Sequence, residues 1–441
     1  MDLKIYNTLS RKKEKFRPQE DKIVKIYVCG PTVYDYDHLG HARVGIFYDI
    51  VRRYFLELGF KVIFVQNITD VGHLTETETG EDKIEKKAKA EKKRPEQIAH
   101  YFEKEHFKDF KSLNILKPDF SPRASEYIDQ IIKFIQKLIA KNYAYRVAGS
   151  VYFDVTKFSN YGKLSGRKFD QQRAGARVKI KKEKRHPADF ALWQKASAGH
   201  LMQWDSPWGK GYPGWHIECS TMISEILGKI IDIHGGAIEL IFPHHENEIA
   251  QSESGNQKPL VKYWMHLGLV TINGEKMSKS KGNFIYIHDA LKKYHPDAIR
   301  IAMLSTQYRK PLDWTELVIN QAEAIRQKLL AAKSENRPGK SITKNQINIA
   351  MVDDFNCPKA LQIILDNLNN LTIRDFEYLN KVFGLKMEKI KIPLGIKKLI
   401  KNRQEARGKK DFELADNLRQ EIEKRGYLVE DFPEGSKIRK I

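Results

Sequence analysis

The sequence predicts an α/β chain built on a parallel sheet that a long insertion divides, followed by an all-helical C-terminal region. Three observations predict it. A β-branched run, Ile23 to Val28, precedes an amphipathic helical pattern and a second apolar run, Lys61 to Gln66. Short apolar runs of the same kind return beyond Trp204. From about Thr315 onward the pattern is almost wholly helical.

The first run ends in Cys29-Gly30-Pro31-Thr32, the kind of turn that closes a buried strand. Val44, Phe47, Tyr48, Val51, Tyr54, Phe55 and Leu58 keep the i, i+3, i+4, i+7 spacing of an amphipathic helix, with Gly59 as its C-cap. Strand, helix and strand make a βαβ unit, so the sheet is expected to be parallel and Rossmann-type, with its ligand at the carboxyl edge. His38 to His41 then stand at the mouth of the first helix. Downstream, Ile230 to His234 and Glu239 to Phe242 read as short strands separated by Gly235-Gly236, and Asn336-Arg337-Pro338-Gly339 interrupts the helical part. The expected units are 1–111 and 203–270 as the two halves of the sheet domain, 112–202 as the connective insertion, 271–314 as a loop and stem region, 315–390 as a helical bundle, and 391–441 as a terminal helical region.

A hydrophobic content of 41% over 441 residues fills a real core and excludes a mostly disordered chain. The formal charge of +21 favours a polyanionic partner. Basic residues cluster in Lys83 to Arg94, in Lys179 to Arg185, and from Lys391 onward, where 14 basic residues face 9 acidic ones, which suits a phosphate backbone. Three widely spaced cysteines, Cys29, Cys219 and Cys357, make no disulfide framework and fit a reducing compartment. Met1 to Lys15 lacks an apolar signal core, and no run approaches the roughly 18 apolar residues of a membrane span. The expected location is the cytoplasm, with no membrane contact and a monomeric state.

Three sets of residues can carry chemistry. His38-Leu39-Gly40-His41 places two histidines on one side of a first helical turn, whose free N–H groups and dipole attract anions. Gly40 between them lets a base or phosphate approach the backbone. The motif alone also fits a metal pair or a plain helix cap. Lys276-Met277-Ser278-Lys279-Ser280, between Gly274 and Gly282, is a cationic loop that can close on a triphosphate and stabilise charge on departing pyrophosphate. Cys29, Cys219, His244 and Glu248 form the third set; two sulfurs, a nitrogen and a carboxylate are a plausible zinc set, with His244 and Glu248 at i, i+4. His245 competes with His244, and spacing leaves that choice open.

In this order, the first two motifs resemble the paired signatures of the class I aminoacyl-tRNA synthetases, HIGH (here HLGH) and KMSKS. The resemblance implies that ATP, with magnesium, and an amino acid give an aminoacyl-adenylate whose acyl group passes to tRNA. It gives His38, His41, Lys276 and Lys279 the stabilisation of that transition state, and His38, Gly40, His41 and Lys279 contact with ATP. The segments YVCGPTVYDYDHLGHAR, GWHIECS, FPHHENEIAQSE, VDDFNCP and RQEARGKKDFELADNLR together resemble the cysteinyl-tRNA synthetase family over nearly the whole chain. That likeness implies L-cysteine and tRNA(Cys) as substrates, an anticodon-binding region at 391–441, and one zinc ion on Cys29, Cys219, His244 and Glu248. In that family the metal takes the substrate thiol as thiolate, which separates cysteine from serine. Four protein ligands are usual for a closed structural site, so an added substrate ligand rests on the resemblance. Trp215 is expected to close over the substrate and Thr69 to touch it.

The insertion at 112–202 leaves little room for an editing domain, consistent with direct discrimination by the metal. After Asp70 the family pattern gives way to Val71-Gly72-His73, and Cys357, where a threonine-like residue is expected, reads as a free structural thiol. Other readings are a related ligase joining cysteine to an amino sugar, a methionine-type synthetase, and a non-catalytic tRNA-binding protein. The basic helical tail, the Cys, Cys, His, Glu set and the intact signatures oppose them in turn.

Overall fold

The computed structural model describes residues 2–71, 82–167, 183–277, 282–388, 393–432 and 435–440. Ser278, Lys279 and Ser280 of the expected lysine loop, and Gly72 and His73, lie outside the described residues.

A hairpin of β1 (Lys4–Asn7) and β2 (Lys12–Lys15) leads into β3 (Ile23–Val28). The last three residues of β3 are all buried, as in a strand covered on both faces. Helix α1 (Leu39–Glu57) follows and buries Ile46, Phe47, Ile50, Val51, Tyr54 and Phe55, while Val44 is half-buried and Leu58 is exposed. Gly59, at φ +85°, ends it, and the Phe60 N–H donates to the Phe55 carbonyl at 3.0 Å. That is a Schellman closure, for which glycine is the natural residue. The chain returns as β4 (Lys61–Gln66), parallel to β3 with Val24 opposite Val62 and Val28 opposite Gln66.

Helices α2 (Lys83–Glu91), α3 (Pro95–Ser112) and α4 (Ile128–Ala140) come next. Strands β5 (Ala144–Val147), β6 (Ser150–Phe153), β7 (Phe190–Lys195) and β8 (Gly211–Pro213) then form an antiparallel sheet of their own. Its inner residues Val151, Phe153, Leu192 and Trp193 pack on Ile131, Ile135 and Leu138 of α4. The chain then adds α5 (Trp215–Ile226), β9 (Ile231–Ala237), α6 (His244–Asn256) and β10 (Val261–Leu267) to the first unit. The strand order is β10-β9-β3-β4, with parallel pairs throughout. From β3 the chain moves to β4 on one side and later returns to β9 on the other, so a crevice opens at the carboxyl ends of β3 and β9.

Two expectations differ here. The run Glu239 to Phe242 is not a strand: Ile238–Ile241 is a 3-10 turn with Ile238 exposed and no sheet partner. Gly235-Gly236 does not end β9 but continues it, because a Cβ on Gly235 would stand 1.7 Å from the Met265 carbonyl oxygen of β10. Close backbone approach, not turning, requires glycine there.

Beyond the main sheet, β11 (Val270–Ile272), β12 (Glu275–Lys276) and β13 (Leu312–Trp314) form a small sheet around α7 (Ile287–Lys293) and α8 (Pro296–Leu304) in sequence. Helix α9 (Glu316–Ser334) starts at Thr315, whose hydroxyl accepts from the Val318 N–H at 3.2 Å. Helices α10 (Lys344–Met351), α11 (Cys357–Asp366), α12 (Ile373–Phe383), α13 (Leu394–Gly408) and α14 (Phe412–Lys424) follow. The expected all-helical tail ends instead in a hairpin, β14 (Tyr427–Phe432) with β15 (Gly435–Lys440). Gly426 at φ +81° follows α14, and Tyr427 and Val429 then point inward at strand period onto Ile396, Ile400 and Ile422. Cys357 is buried and unpaired, as expected of a structural thiol. No helix among the described residues is long and apolar enough to cross a membrane.

One buried charge network joins α1 to the helical part. The Arg300 guanidinium of α8, fully buried, donates to Asp49 of α1 at 2.6 Å and to the carbonyls of Leu113 and Phe383 at 2.9 Å. Asp49 also accepts from Arg53 at 2.8 Å and from the Leu116 N–H at 2.9 Å. With so many partners the buried charges are compensated rather than stranded.

Candidate functional site

The mouth of α1 is built by His38 as its N-cap. Its Nδ1 accepts from the Gly40 N–H at 3.0 Å, which leaves the hydrogen of a neutral ring on Nε2. Burial, then the neighbouring His41, lowers the His38 pKa to about 3, so this ring is neutral near pH 7. The rings of His38 and His41 stack with centroids 3.9 Å apart. A Cβ on Gly40 would meet His38 Cε1 at 2.7 Å, so a side chain there would displace the ring. His41 turns Nδ1 to the buried carboxylate of Asp37 at 2.7 Å.

The strand-like segment after the lysine loop seals this mouth. The Leu39 N–H donates to the Ile285 carbonyl at 3.1 Å, the Ile287 N–H donates to that of Asp37 at 2.8 Å, and Phe284 meets His38 edge-on at 4.9 Å. Lys276, 68% exposed, ion-pairs with Glu239, and the Asn283 amide donates to its carbonyl at 3.3 Å. The segment that follows the second motif therefore packs against the first at one helix mouth, although the two lie far apart in the chain. Of the expected phosphate-binding lysines, Lys276 is on the described rim and Lys279 lies outside the described residues.

At the carboxyl end of β3 a second constellation begins with Cys29. The ligand atoms of Cys29, Cys219, His244 and Glu248 all lie within 4.8 Å of one another. Cys219 comes from α5, His244 and Glu248 from one face of α6, and their side chains are buried. Glu248 accepts from His244 Nε2 at 2.7 Å through Oε1 and from His234 Nε2 at 2.7 Å through Oε2. Burial opposes both charges, yet His234 and His244 bring Glu248 down to about 2, and Glu248 and Cys219 lift His244 to about 10. The hydrogen bond from Cys29 draws Cys219 down to about 6, while burial and Cys219 push Cys29 well above the usual thiol value. Two sulfurs, an imidazole and a carboxylate are donors that bind a divalent metal once deprotonated.

The donor set fits a metal ion. Tetrahedral ligands about 2.0–2.3 Å from zinc are themselves separated by less than this cluster's span, so small side-chain shifts suffice. A second grouping, Cys29, His234, His245 and Glu248, meets the same distance criterion. Its His245 stands 3.3 Å from Cys29 through Nε2, but Nδ1 is paired with His266 at 2.8 Å and His266 with Thr8 at 2.8 Å. A third group, Asp82, Glu85 and His200, is a structural clasp: Glu85 accepts from the N–H groups of Leu201 and Met202 at 2.6 and 3.1 Å and from His200.

Around the cluster, Thr69 is buried and receives the Asn67 amide at 3.1 Å, and the same Asn67 accepts from the Gly30 N–H at 2.9 Å. A Cβ on Gly30 would lie 1.6 Å from the Asn67 carbonyl oxygen, so only glycine lets β3 and β4 close here. Trp215 begins α5, stays 38% exposed and lies 4.5 Å from the His244 ring. Sequence reasoning missed His234 and Asp37, which hold Glu248 and His41 in place. Asp37 abuts the HLGH motif, but nothing local shows that its carboxylate turns inward.

With this geometry in hand, two families match the chain: the class I (C) catalytic domain of tRNA synthetases over residues 15–324, and the cysteinyl-tRNA ligase anticodon-binding domain over 391–439. A cysteine--tRNA ligase of Coxiella burnetii is 44% identical over 468 residues, covering 100% of both chains. One from Thermus thermophilus is 42% identical over 478 residues, covering 100% of this chain and 99% of the relative. The fold is shared with a Mycobacterium tuberculosis methionyl-tRNA synthetase in complex with methionyl-adenylate, at TM-score 0.58 and 13% identity over 83% of this chain and 86% of that one. A sheet with its crevice at the β3/β9 switch, a catalytic-domain match over residues 15–324 and full-length identity above 40% place the chain in the class I aminoacyl-tRNA synthetases, as a member of the cysteine--tRNA ligase family.

Proposed function

We propose that this enzyme activates L-cysteine with ATP to cysteinyl-adenylate and passes the cysteinyl group to tRNA(Cys), with zinc on Cys29, Cys219, His244 and Glu248. The observation that carries it is the position of Cys29 and His38: a soft donor cluster ends β3, and the anion-binding helix that follows β3 opens on the same crevice. A zinc ion bound there would hold the substrate thiol as thiolate, which serine's harder and far less acidic hydroxyl does not match.

The chain's own groups supply the rest. His38, with a hydrogen on Nε2, and His41 donate to the triphosphate at the α1 mouth; Gly40 admits it without a side chain in the way. Lys276 and Lys279 neutralise charge as pyrophosphate departs, an electrostatic role that needs no covalent step. Trp215 covers the amino acid beside His244 and keeps water from the thiol, and Thr69 lines the floor through Asn67. The basic C-terminal region binds tRNA through its phosphates. The test is charging of a tRNA(Cys) transcript by the purified protein: ATP- and cysteine-dependent formation of cysteinyl-tRNA is expected, and an enzyme that forms adenylate but never charges tRNA contradicts the second half.

A further inference from the structure

Asp37 lies one residue before the HLGH motif, and its side chain is 3% exposed beneath a His41 ring that is 40% exposed. One carboxylate oxygen meets His41 Nδ1 at 2.7 Å, and the other meets Nδ1 of His106, a buried residue of α3. An ionised carboxylate only accepts hydrogen bonds, so the 2.7 Å contact with Asp37, far shorter than the 3.5 Å approach of the His38 N–H to the same atom, puts a hydrogen on His41 Nδ1, and His106 carries one on its Nδ1. Also near this point are His38, stacked on His41, and Asp109 on α3, which in turn feels Glu105, Lys108 and Asp289. Burial opposes the Asp37 charge, yet His106 and His41 hold its carboxyl well below the usual range. Burial, then the Asp37 charge, pushes Asp109 up to about 7, so of the two acids Asp37 is the one that stays ionised.

We infer that Asp37 is a positioning residue for His41: it holds the ring hydrogen on Nδ1, presents Nε2 to the triphosphate, and is itself held by His106. This rests on the reading of His41 as an ATP-binding group. The arrangement has the logic of a carboxylate behind a catalytic imidazole, which sets tautomer and orientation and stabilises the doubly protonated ring. Here the doubly protonated ring would donate to Asp37 from one nitrogen and to a phosphate oxygen from the other. Asp37 is anchored from two sides. His106 packs on Phe110 with centroids 4.1 Å apart, and the Asp37 carbonyl accepts from the N–H of Ile287, the first residue of α7, at 2.8 Å. Asp37 thus ties α1 and α3 together through its carboxylate and holds the start of α7 through its carbonyl.

Cysteine-dependent ATP–pyrophosphate exchange by the full chain tests this with Asp37→Asn, Asp37→Ala, His41→Ala and the double variant Asp37→Ala/His41→Ala. Asn is nearly isosteric, but its amide N–H faces one ring's N–H. Asp37→Asn is expected to lower kcat about tenfold or more while the KM for cysteine stays within about twofold, and the double variant to be no slower than His41→Ala alone. Asp37→Asn exchanging within about twofold of wild type, or losses from Asp37→Ala and His41→Ala that multiply, would overturn the inference. If His41→Ala itself exchanges normally, the ATP-binding reading of His41 falls and this inference with it; loss in His41→Ala alone sinks only the role of Asp37. Should the Asp37 variants fail to fold, His106 decides: Gln, which still donates to Asp37, is expected to keep exchange within about threefold and Leu to lose about tenfold. Equal rates for those two variants contradict it.

Discussion

Glu248 lies between His234 and His244, one carboxylate oxygen 2.7 Å from each ring. The His234 bond occupies Oε2, so only Oε1 faces Cys29, Cys219 and His244. His234 is itself fixed, its Nδ1 donating to the Tyr27 carbonyl at 2.9 Å. Outer partners of metal ligands typically contribute about 10–100-fold in affinity. His234→Phe is therefore expected to weaken zinc binding by about that factor, read by competition with a chelator of known affinity. Unchanged affinity would separate Glu248 from the metal.

Cys219 and His245 belong to the two alternative donor groupings, and each can be removed alone. Cys219→Ala is expected to purify without bound zinc, while His245→Asn keeps it, as measured by metal analysis of the folded protein. The opposite pattern would move the site to Cys29, His234, His245 and Glu248.

Trp215 is partly exposed and contacts the site through the ring of His244, so its removal leaves the fold intact. Trp215→Ala is expected to raise the KM for cysteine about tenfold, roughly 1.4 kcal/mol, with the KM for ATP little changed. Equal effects on both substrates would mean a structural role.

Arg300 tests the fold rather than the site. Replacing it by Met leaves Asp49 buried with only Arg53 and a backbone N–H, and single removal from such a pair costs about 3–5 kcal/mol. Urea unfolding should record that loss with zinc content unchanged while the protein is folded.

Asp375 gives the pH dependence. It accepts from Ser341, Thr343 and Thr372 and, although burial opposes its charge, these bonds hold it down at about 2. Because its folded value is depressed, the stabilisation is complete above the ordinary value of 3.8 and is lost as pH falls toward about 2. The stability gap between wild type and Asp375→Asn should be constant from pH 7 to 5 and narrow below 4. A gap that widens on acidification has the wrong sign.

Much of this site was legible because its information is local. The i, i+4 spacing of His244 and Glu248 needs only a helix, and α6 is one; the strand, helix and strand around HLGH follow from period and a glycine stop. What was not legible depends on who lies opposite. Gly235-Gly236 reads as a break until Met265 is seen against it, and Asp37 gains its role only when His106 arrives from α3. His234 sits in an apolar strand whose alternation does not say that its ring meets α6. The terminal hairpin escaped because its inward residues, Tyr427 and Val429, need α13 and α14 to define an inside.

The central claim, that the cluster at Cys29 chooses the amino acid activated at His38, is tested most directly by ATP–pyrophosphate exchange with a panel of amino acids. Cysteine is expected to support exchange while serine and methionine do not. Exchange with serine or methionine in the absence of exchange with cysteine would contradict it.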